Sequence, residues 1–325
     1  MNFSKIKSFF VLATIMLAFT ATAQDVNQAA EIFNQGNQAV KDNNYQLAID
    51  KYQQAMEMAS QFGPEGEQIV AGAKTQIPSL YYKIGIDDYK DKNIDKAIAE
   101  FEKAIQYANE YNDSETAAKA TDIIPKLYYS QGNSYYSDEK YTEALESFGK
   151  SAGLAPDYSR AYWGMALVYN KTDDTKKMKE SFSKALELAE GQGDTDMAQK
   201  VRSNASKLLQ SEGAKKLQAQ DWDQALMCLN ATTEFDPDNA ETYYYIALAN
   251  NGLKKYDEAI AAADKGLEVA ASESADFKAK FYYEKGNALK AQGKNNEACE
   301  AYNNAKYGQF AQNADYELKT VLKCD

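Results

Sequence analysis

The sequence predicts an all-α chain: an α-α solenoid of about seven tandem helix–turn–helix repeats closed by a C-terminal capping helix. Three observations carry the prediction. A small residue recurs at Gly36, Gly85, Gly132, Ala166, Gly213, Ala247 and Gly286. Companions follow at three fixed offsets. Twelve residues on stand Ala48, Ala97, Ala144, Met178, Ala225, Ala259 and Ala298; sixteen on, Tyr52, Phe101, Phe148, Phe182, Leu229, Ala263 and Tyr302; nineteen on, Ala55, Ala104, Ser151, Ala185, Thr232, Gly266 and Ala305. No window shows the sustained alternation of a β-strand.

From the N-terminus, residues 1–23 read as a cleavable secretory signal. Lys5 and Lys7 make a positive start, Phe9 to Phe19 is almost wholly apolar, and Ala21-Thr22-Ala23 fits a small-residue cleavage site. Such a run is short of the roughly 20 residues that span a bilayer as a helix. The expectation is a periplasmic or secreted protein, cleaved after Ala23 and without stable membrane insertion afterwards.

Residues 24–307 hold the repeats. The three offsets differ by four and three, which places the companions on one helical face. Small residues there let two helices approach, and the larger ring fills the space beyond the crossing. Polar segments such as Lys41-Asp42-Asn43-Asn44, Asp91-Lys92-Asn93 and Gln220-Asp221 supply the turns. Successive small residues are 49, 47, 34, 47, 34 and 39 apart. The inserts at 64–77 and 114–124 contain Glu67-Gln68-Ile69-Val70-Ala71 and Thr116-Ala117-Ala118-Lys119-Ala120, which suit helix and should lengthen the first helix of their repeats. Pro78 and Pro125, each seven residues before its glycine, should kink or break those helices. Beyond Gly308, Phe310, Ala314, Leu318 and Val321 recur at helical spacing, so 308–325 is expected to form the capping helix. The whole should wind as one right-handed superhelix with a concave inner face.

The third repeat carries Tyr128, Gly132, Tyr135, Ala144, Phe148 and Pro156, and the fourth Tyr162, Ala166, Tyr169, Phe182 and Ala185, with Met178 replacing an alanine; the fifth closes at Pro237. This pattern resembles the tetratricopeptide repeat. The resemblance covers roughly residues 29–307, although most spacings exceed the family period of about 34. It implies that the first helix of each repeat lines a concave groove. The residue three before the small position then faces inward, with neighbours six before, one after and four after.

Composition narrows the chemistry. Histidine is absent, which excludes His-based triads, His-ligated metals and imidazole switches. Arg160 and Arg202 are the only arginines and the formal charge is −12, so nucleic acid is a poor partner. Asp87-Asp88 and Asp173-Asp174 are adjacent residues that do not face each other on a helix, and Asp236-Pro237-Asp238-Asn239 lacks the glycine turn and later glutamate of a calcium loop. No phosphate loop is present. The expectation is therefore no catalytic residue, no metal site and no cofactor. Cys228, Cys299 and Cys324 are odd in number. Fully helical arms about Gly308 would hold Cys299 and Cys324 about 10 Å out of register, so free thiols are expected and only a frayed C-terminus would join them.

The candidate site is a surface. Three before each small position stand Phe33, Tyr82, Tyr129, Trp163, Gln210, Tyr244 and Tyr283; one after it, Asn37, Asn133 and Asn287. Rings add contact area at low entropic cost, and an asparagine amide donates to and accepts from an extended backbone. The preceding residue, Tyr81, Tyr128, Tyr162, Tyr243 or Tyr282, takes the family's packing position, so each tyrosine pair should divide into one core ring and one groove ring. The carboxylate clamp of chaperone-binding relatives is broken. Asn37 and Asn133 match its asparagine, but Phe33 or Tyr129 stands where its lysine belongs, and Lys126 lacks a basic partner at Ser130. The expected function is that of an exported adaptor holding a protein or peptide partner in this groove. Glycan binding through the same rings is the alternative.

Overall fold

The computed structural model describes residues 26–324; the expected signal, 1–23, lies outside the described residues. The described residues are helical, in consecutive pairs. These are α1 (26–41) with α2 (Tyr45–Ala59), α3 (Glu67–Lys90) with α4 (Ile94–Tyr111), and α5 (Ser114–Ser137) with α6 (Tyr141–Leu154). Then follow α7 (Ser159–Lys171) with α8 (Thr175–Gly191), α9 (Thr195–Gln218) with α10 (Trp222–Phe235), α11 (Ala240–Gly252) with α12 (Tyr256–Val269), and α13 (Ala275–Ala291) with α14 (Asn295–Asn304). The helices gather into two compact units divided between Pro156 and Asp157, in a connection that a proline keeps from continuing α6.

The seven pairs share one turn. Seven residues after each small position, Asn43, Lys92, Glu139, Asp173, Gln220, Lys254 and Gly293 adopt left-handed backbone with φ between 56° and 76°. The next residue's N–H reaches back to a carbonyl five residues earlier, as in Asn44 to Ala39 at 2.8 Å and Lys255 to Asn250 at 2.8 Å. This is the terminal hydrogen bond of a Schellman motif, and it satisfies a carbonyl that the helix end would leave open. Only one of the seven positions is glycine, so the turn is set by the helices it joins more than by its own residue.

The predicted companions form the core. Those at twelve and nineteen residues are all buried, and at sixteen Tyr52, Phe101, Phe148, Phe182, Leu229 and Tyr302 are among the largest fully enclosed or nearly enclosed side chains. The glycines make room for them: a Cβ on Gly132 would stand 2.6 Å from the Phe148 ring, and one on Gly286 2.7 Å from Tyr302. The sixth repeat solves the same problem differently. Its sixteenth residue is Ala263, and Phe281 from α13 fills the space against Gly266, where an added Cβ would come within 2.3 Å of the ring.

Both long inserts enter helices, and α3, α5 and α9 each run 24 residues. The first insert begins in a 3-10 turn, Ser60–Glu65, before α3 starts at Glu67. Contrary to expectation, neither Pro78 nor Pro125 breaks its helix. The carbonyls each proline leaves without a helical N–H belong to Lys74 and Thr121, both exposed residues. The carbonyl of Pro125 itself accepts the buried Ser151 hydroxyl at 2.7 Å.

The C-terminal segment is not one straight helix. A 3-10 turn (Gly308–Phe310), the short α15 (Ala311–Tyr316) and a wider π turn (Glu317–Leu322) lead to Lys323 in left-handed backbone. Ala314 and Leu318 are buried as predicted, but Val321 is 45% exposed because the wider turn rotates it off the covered face. The same rearrangement corrects the cysteine expectation. The Cys324 N–H reaches Leu318 O at 2.9 Å, the chain end is drawn back, and Cys299 and Cys324 form a disulfide with Cα atoms 6.0 Å apart. Cys228 stays free and buried, and its desolvation pushes the thiol up to about 11, which keeps it neutral and unreactive.

Candidate functional site

Within each unit, successive first helices touch one another: α3 meets α5, α7 meets α9, α9 meets α11, and α11 meets α13. Among the described residues, no two successive second helices approach to the same extent. A stack whose first helices are the closer set curves with those helices on its inside. The residues that the sequence selected lie on one face of these first helices, in each unit taken separately.

Phe33, Tyr82 and Tyr129 lie on this face in the first unit, and Trp163, Tyr244 and Tyr283 in the second; all six are half-buried. Each ring has one side seated on a core ring. Phe33 sits 4.9 Å from Tyr52, Tyr82 5.2 Å from Phe101, Tyr129 5.7 Å from Phe148 and Tyr283 5.7 Å from Tyr302. Trp163 packs on the cluster that contains Phe182, and its indole N–H is buried without an acceptor. Gln210, the one polar residue in the series, is tied to Asn239 and Thr242.

The asparagines divide into two kinds. The Asn37 carbonyl accepts the Tyr52 hydroxyl at 2.7 Å, and Asn287 accepts that of Tyr302 at 2.8 Å. Their acceptors are thus spent on the core. Asn133 stands opposite Phe148, which has no hydroxyl, so its amide keeps both functions.

The expected division of each tyrosine pair does not occur. Tyr128, Tyr162 and Tyr243 are half-buried like Tyr129, Trp163 and Tyr244, and only Tyr81 is buried. The core position lies one residue earlier, at Leu80, Leu127, Ala161, Thr242 and Phe281. The tyrosines are covered instead by lysines eighteen residues after the small position. Lys103 lies 5.5 Å over the Tyr81 ring and Lys150 5.6 Å over Tyr128, while Lys184 and Lys265 feel Tyr162 and Tyr243.

Two residues that the sequence reading passed over join this face in the second unit. Asn251, four after Ala247, donates from Nδ2 to Glu284 Oε2 at 2.8 Å and to the Glu284 carbonyl at 3.0 Å. Asn287 Nδ2 donates to the same carboxylate oxygen at 3.3 Å. Glu284 is 5% exposed, and burial pushes its carboxyl upward, partly offset by the two amides. Burial raises Tyr244, Tyr283 and Tyr302, and the Glu284 charge adds to each. The nearby lysines are committed elsewhere: Lys280 pairs with Glu241, and Lys290 with Glu317 at 2.7 Å. A glutamate inside a helix at a position other repeats fill with Asn, Lys, Ser, Gly or Tyr carries no periodic signal, which is why the sequence did not reveal it.

A stability consequence follows from the raised carboxyl. The protonated form favours the folded state, so this contribution is full below the unfolded carboxylate range and is lost as pH rises through the folded pKa. Glu284→Gln, neutral at every pH, should melt higher than the native protein at pH 7. The gap should close in acid. An equal or lower melting temperature at pH 7 would show that Glu284 is well solvated or paired.

The outer side of the second unit holds a separate cleft of about 650 Å³ between α8 and α10. Leu209 of α9 forms part of its floor, Met227 and Ala231 line α10, and the Lys179–Glu234 ion pair crosses it at 2.7 Å. It opens where the second helices splay. Among the described residues, no group of His, Cys, Asp and Glu could hold a metal ion, and no helix is long and apolar enough to cross a membrane.

The tetratricopeptide-repeat family model matches residues 125–158, 159–192 and 279–307, and a second model of the same repeat matches 214–276. The chain is a tetratricopeptide-repeat protein. The matched segments hold the third to seventh repeats, and the first two share their turn and core geometry. No curated protein matches the chain. Solved structures similar to it include MamA from Desulfovibrio magneticus RS-1, at 20% identity over 56% of this chain and 92% of that one, with a TM-score of 0.32. YrrB, described as a TPR protein with an unusual peptide-binding site, is 19% identical over 58% of this chain and 90% of its own, with a TM-score of 0.35. The TPR2AB domain of yeast Sti1, in complex with an Hsp90 peptide, is 17% identical over 90% and 92%, with a TM-score of 0.30.

Proposed function

We propose that this tetratricopeptide-repeat protein is an exported, non-enzymatic adaptor whose inner faces hold an extended segment of a partner protein. The observation that carries the reading is the row of half-buried rings, each seated on a core ring on one side, repeated along the first helices of both units. A ring already immobilised by the core loses little entropy when a ligand covers its other side. The exported location rests on the N-terminal signal pattern, and the Cys299–Cys324 disulfide suits an oxidising compartment.

An array of short randomised peptides supplies the test. Trp163→Ala should weaken the peptides selected by the native protein roughly thirtyfold, the effect of an interface hot spot worth about 2 kcal/mol. It should destabilise the fold less than Phe182→Ala, which removes a fully enclosed ring. Unchanged peptide binding by the Trp163 variant would remove the inner face from the interaction.

A further inference from the structure

We propose that Glu284, with the amides of Asn251 and Asn287, forms a subsite for a primary ammonium group, supplied by a lysine side chain of the bound segment. The inference rests on the inner-face reading above and adds to it the chemistry of one ligand residue.

Three observations meet at this point. Glu284 is enclosed, and Lys280, Lys285 and Lys290 on its own helix are paired with Glu241, Asp264 and Glu317, so none of them is its counter-cation. Its Oε2 takes both asparagine amides, which leaves Oε1 outside those bonds. Asn251 Oδ1, the other end of the amide that grips Glu284, is buried without any donor. A carboxylate with no ion-pair partner and an amide oxygen with no donor therefore belong to two side chains joined by one hydrogen bond. Buried acceptors of this kind are ordinarily paired.

A purely structural role accounts poorly for the arrangement. The link from α11 to α13 is made by Asn251 Nδ2, and a glutamine at 284 would accept it without burying a charge. What a carboxylate adds is attraction for a cation. An ammonium group brings three donors and a compact charge, enough for Glu284 Oε1 and Asn251 Oδ1 together. A ligand carboxylate or phosphate would be repelled, consistent with the broken carboxylate clamp seen in the sequence.

The probe is a set of short peptides with randomised flanks and one fixed central residue: lysine, ε-acetyl-lysine or glutamate. The native protein should prefer lysine over acetyl-lysine about tenfold, the scale of one hydrogen bond to a charged group. Glu284→Gln should bind acetyl-lysine peptides as before and lose the preference. Glu268→Gln, which removes an exposed acid from the outer helix α12, should retain it, so general attraction to an acidic protein is separated from the subsite. Preference surviving in Glu284→Gln, or lost equally in Glu268→Gln, would overturn the inference. Peptides bound with no lysine preference would overturn it and leave the inner-face reading standing. Failure to bind any peptide would remove that reading and the subsite with it.

Discussion

Replacing Phe148 by alanine should cost about 3–5 kcal/mol, the range for deleting an enclosed aromatic ring. Phe148 is 1% exposed and fills the crossing of α5 and α6 over Gly132. The loss should be read locally, as reduced hydrogen-exchange protection across residues 114–154, because the two units need not unfold together. The contact makes a sharper demand. Alanine at Gly132 would gain roughly 1 kcal/mol in helix propensity, yet its Cβ would stand 2.6 Å from the Phe148 ring. Gly132→Ala should therefore destabilise the native protein and cease to do so beside Phe148→Ala. The double-mutant cycle should show coupling of about 1 kcal/mol or more. Additive effects would mean that ring and glycine do not set each other's size.

Reducing the Cys299–Cys324 bridge, or replacing both cysteines by serine, should cost about 3 kcal/mol, the chain-entropy value for a bridge spanning 25 residues. The effect should be confined to the C-terminal segment, which covers Leu289, Ala301 and Tyr302 with Ala314 and Leu318. Protection should fall across 308–324 and stay high in α7 to α12. Without reductant the folded protein should offer no thiol to an alkylating reagent, because Cys228 is buried and its thiol is held neutral. After mild reduction it should offer two. Two reactive thiols in the unreduced protein would contradict the pairing.

The repeat core was legible because one small residue and three companions recur at constant offsets, and helical geometry turns those offsets into a buried face. What escaped was decided between repeats or by backbone. Six of the seven left-handed turn residues are not glycine, so the Schellman motif leaves no compositional mark. Phe281 substitutes for a missing ring at Ala263, a compensation between helices that no single-repeat pattern contains. The prolines at 78 and 125 were overrated: each lies inside a continuous helix, and the residue four before it is exposed. The disulfide was missed because a π turn shortens the last arm, and nothing in Glu317–Leu322 announces it.

The candidate face was legible as a direction but not as a list of contacts. Counting three residues back from each small position finds six half-buried rings and Gln210. The neighbouring tyrosines were misread as core because the lysines that cover them sit eighteen residues after the small position, on the partner helix. Asn251 and Glu284 occur in that arrangement only once, so periodicity could not select them.

The most direct test of the account is to map which face a bound peptide occupies. The tightest peptide from the array would be titrated into isotope-labelled protein and followed by NMR chemical-shift changes. The account predicts that shifts concentrate at Tyr129 and Asn133 in the first unit, or at Trp163, Tyr244 and Tyr283 in the second. Shifts gathered instead around Thr175, Lys179, Met227 and Glu234 would place the ligand in the outer cleft and contradict it.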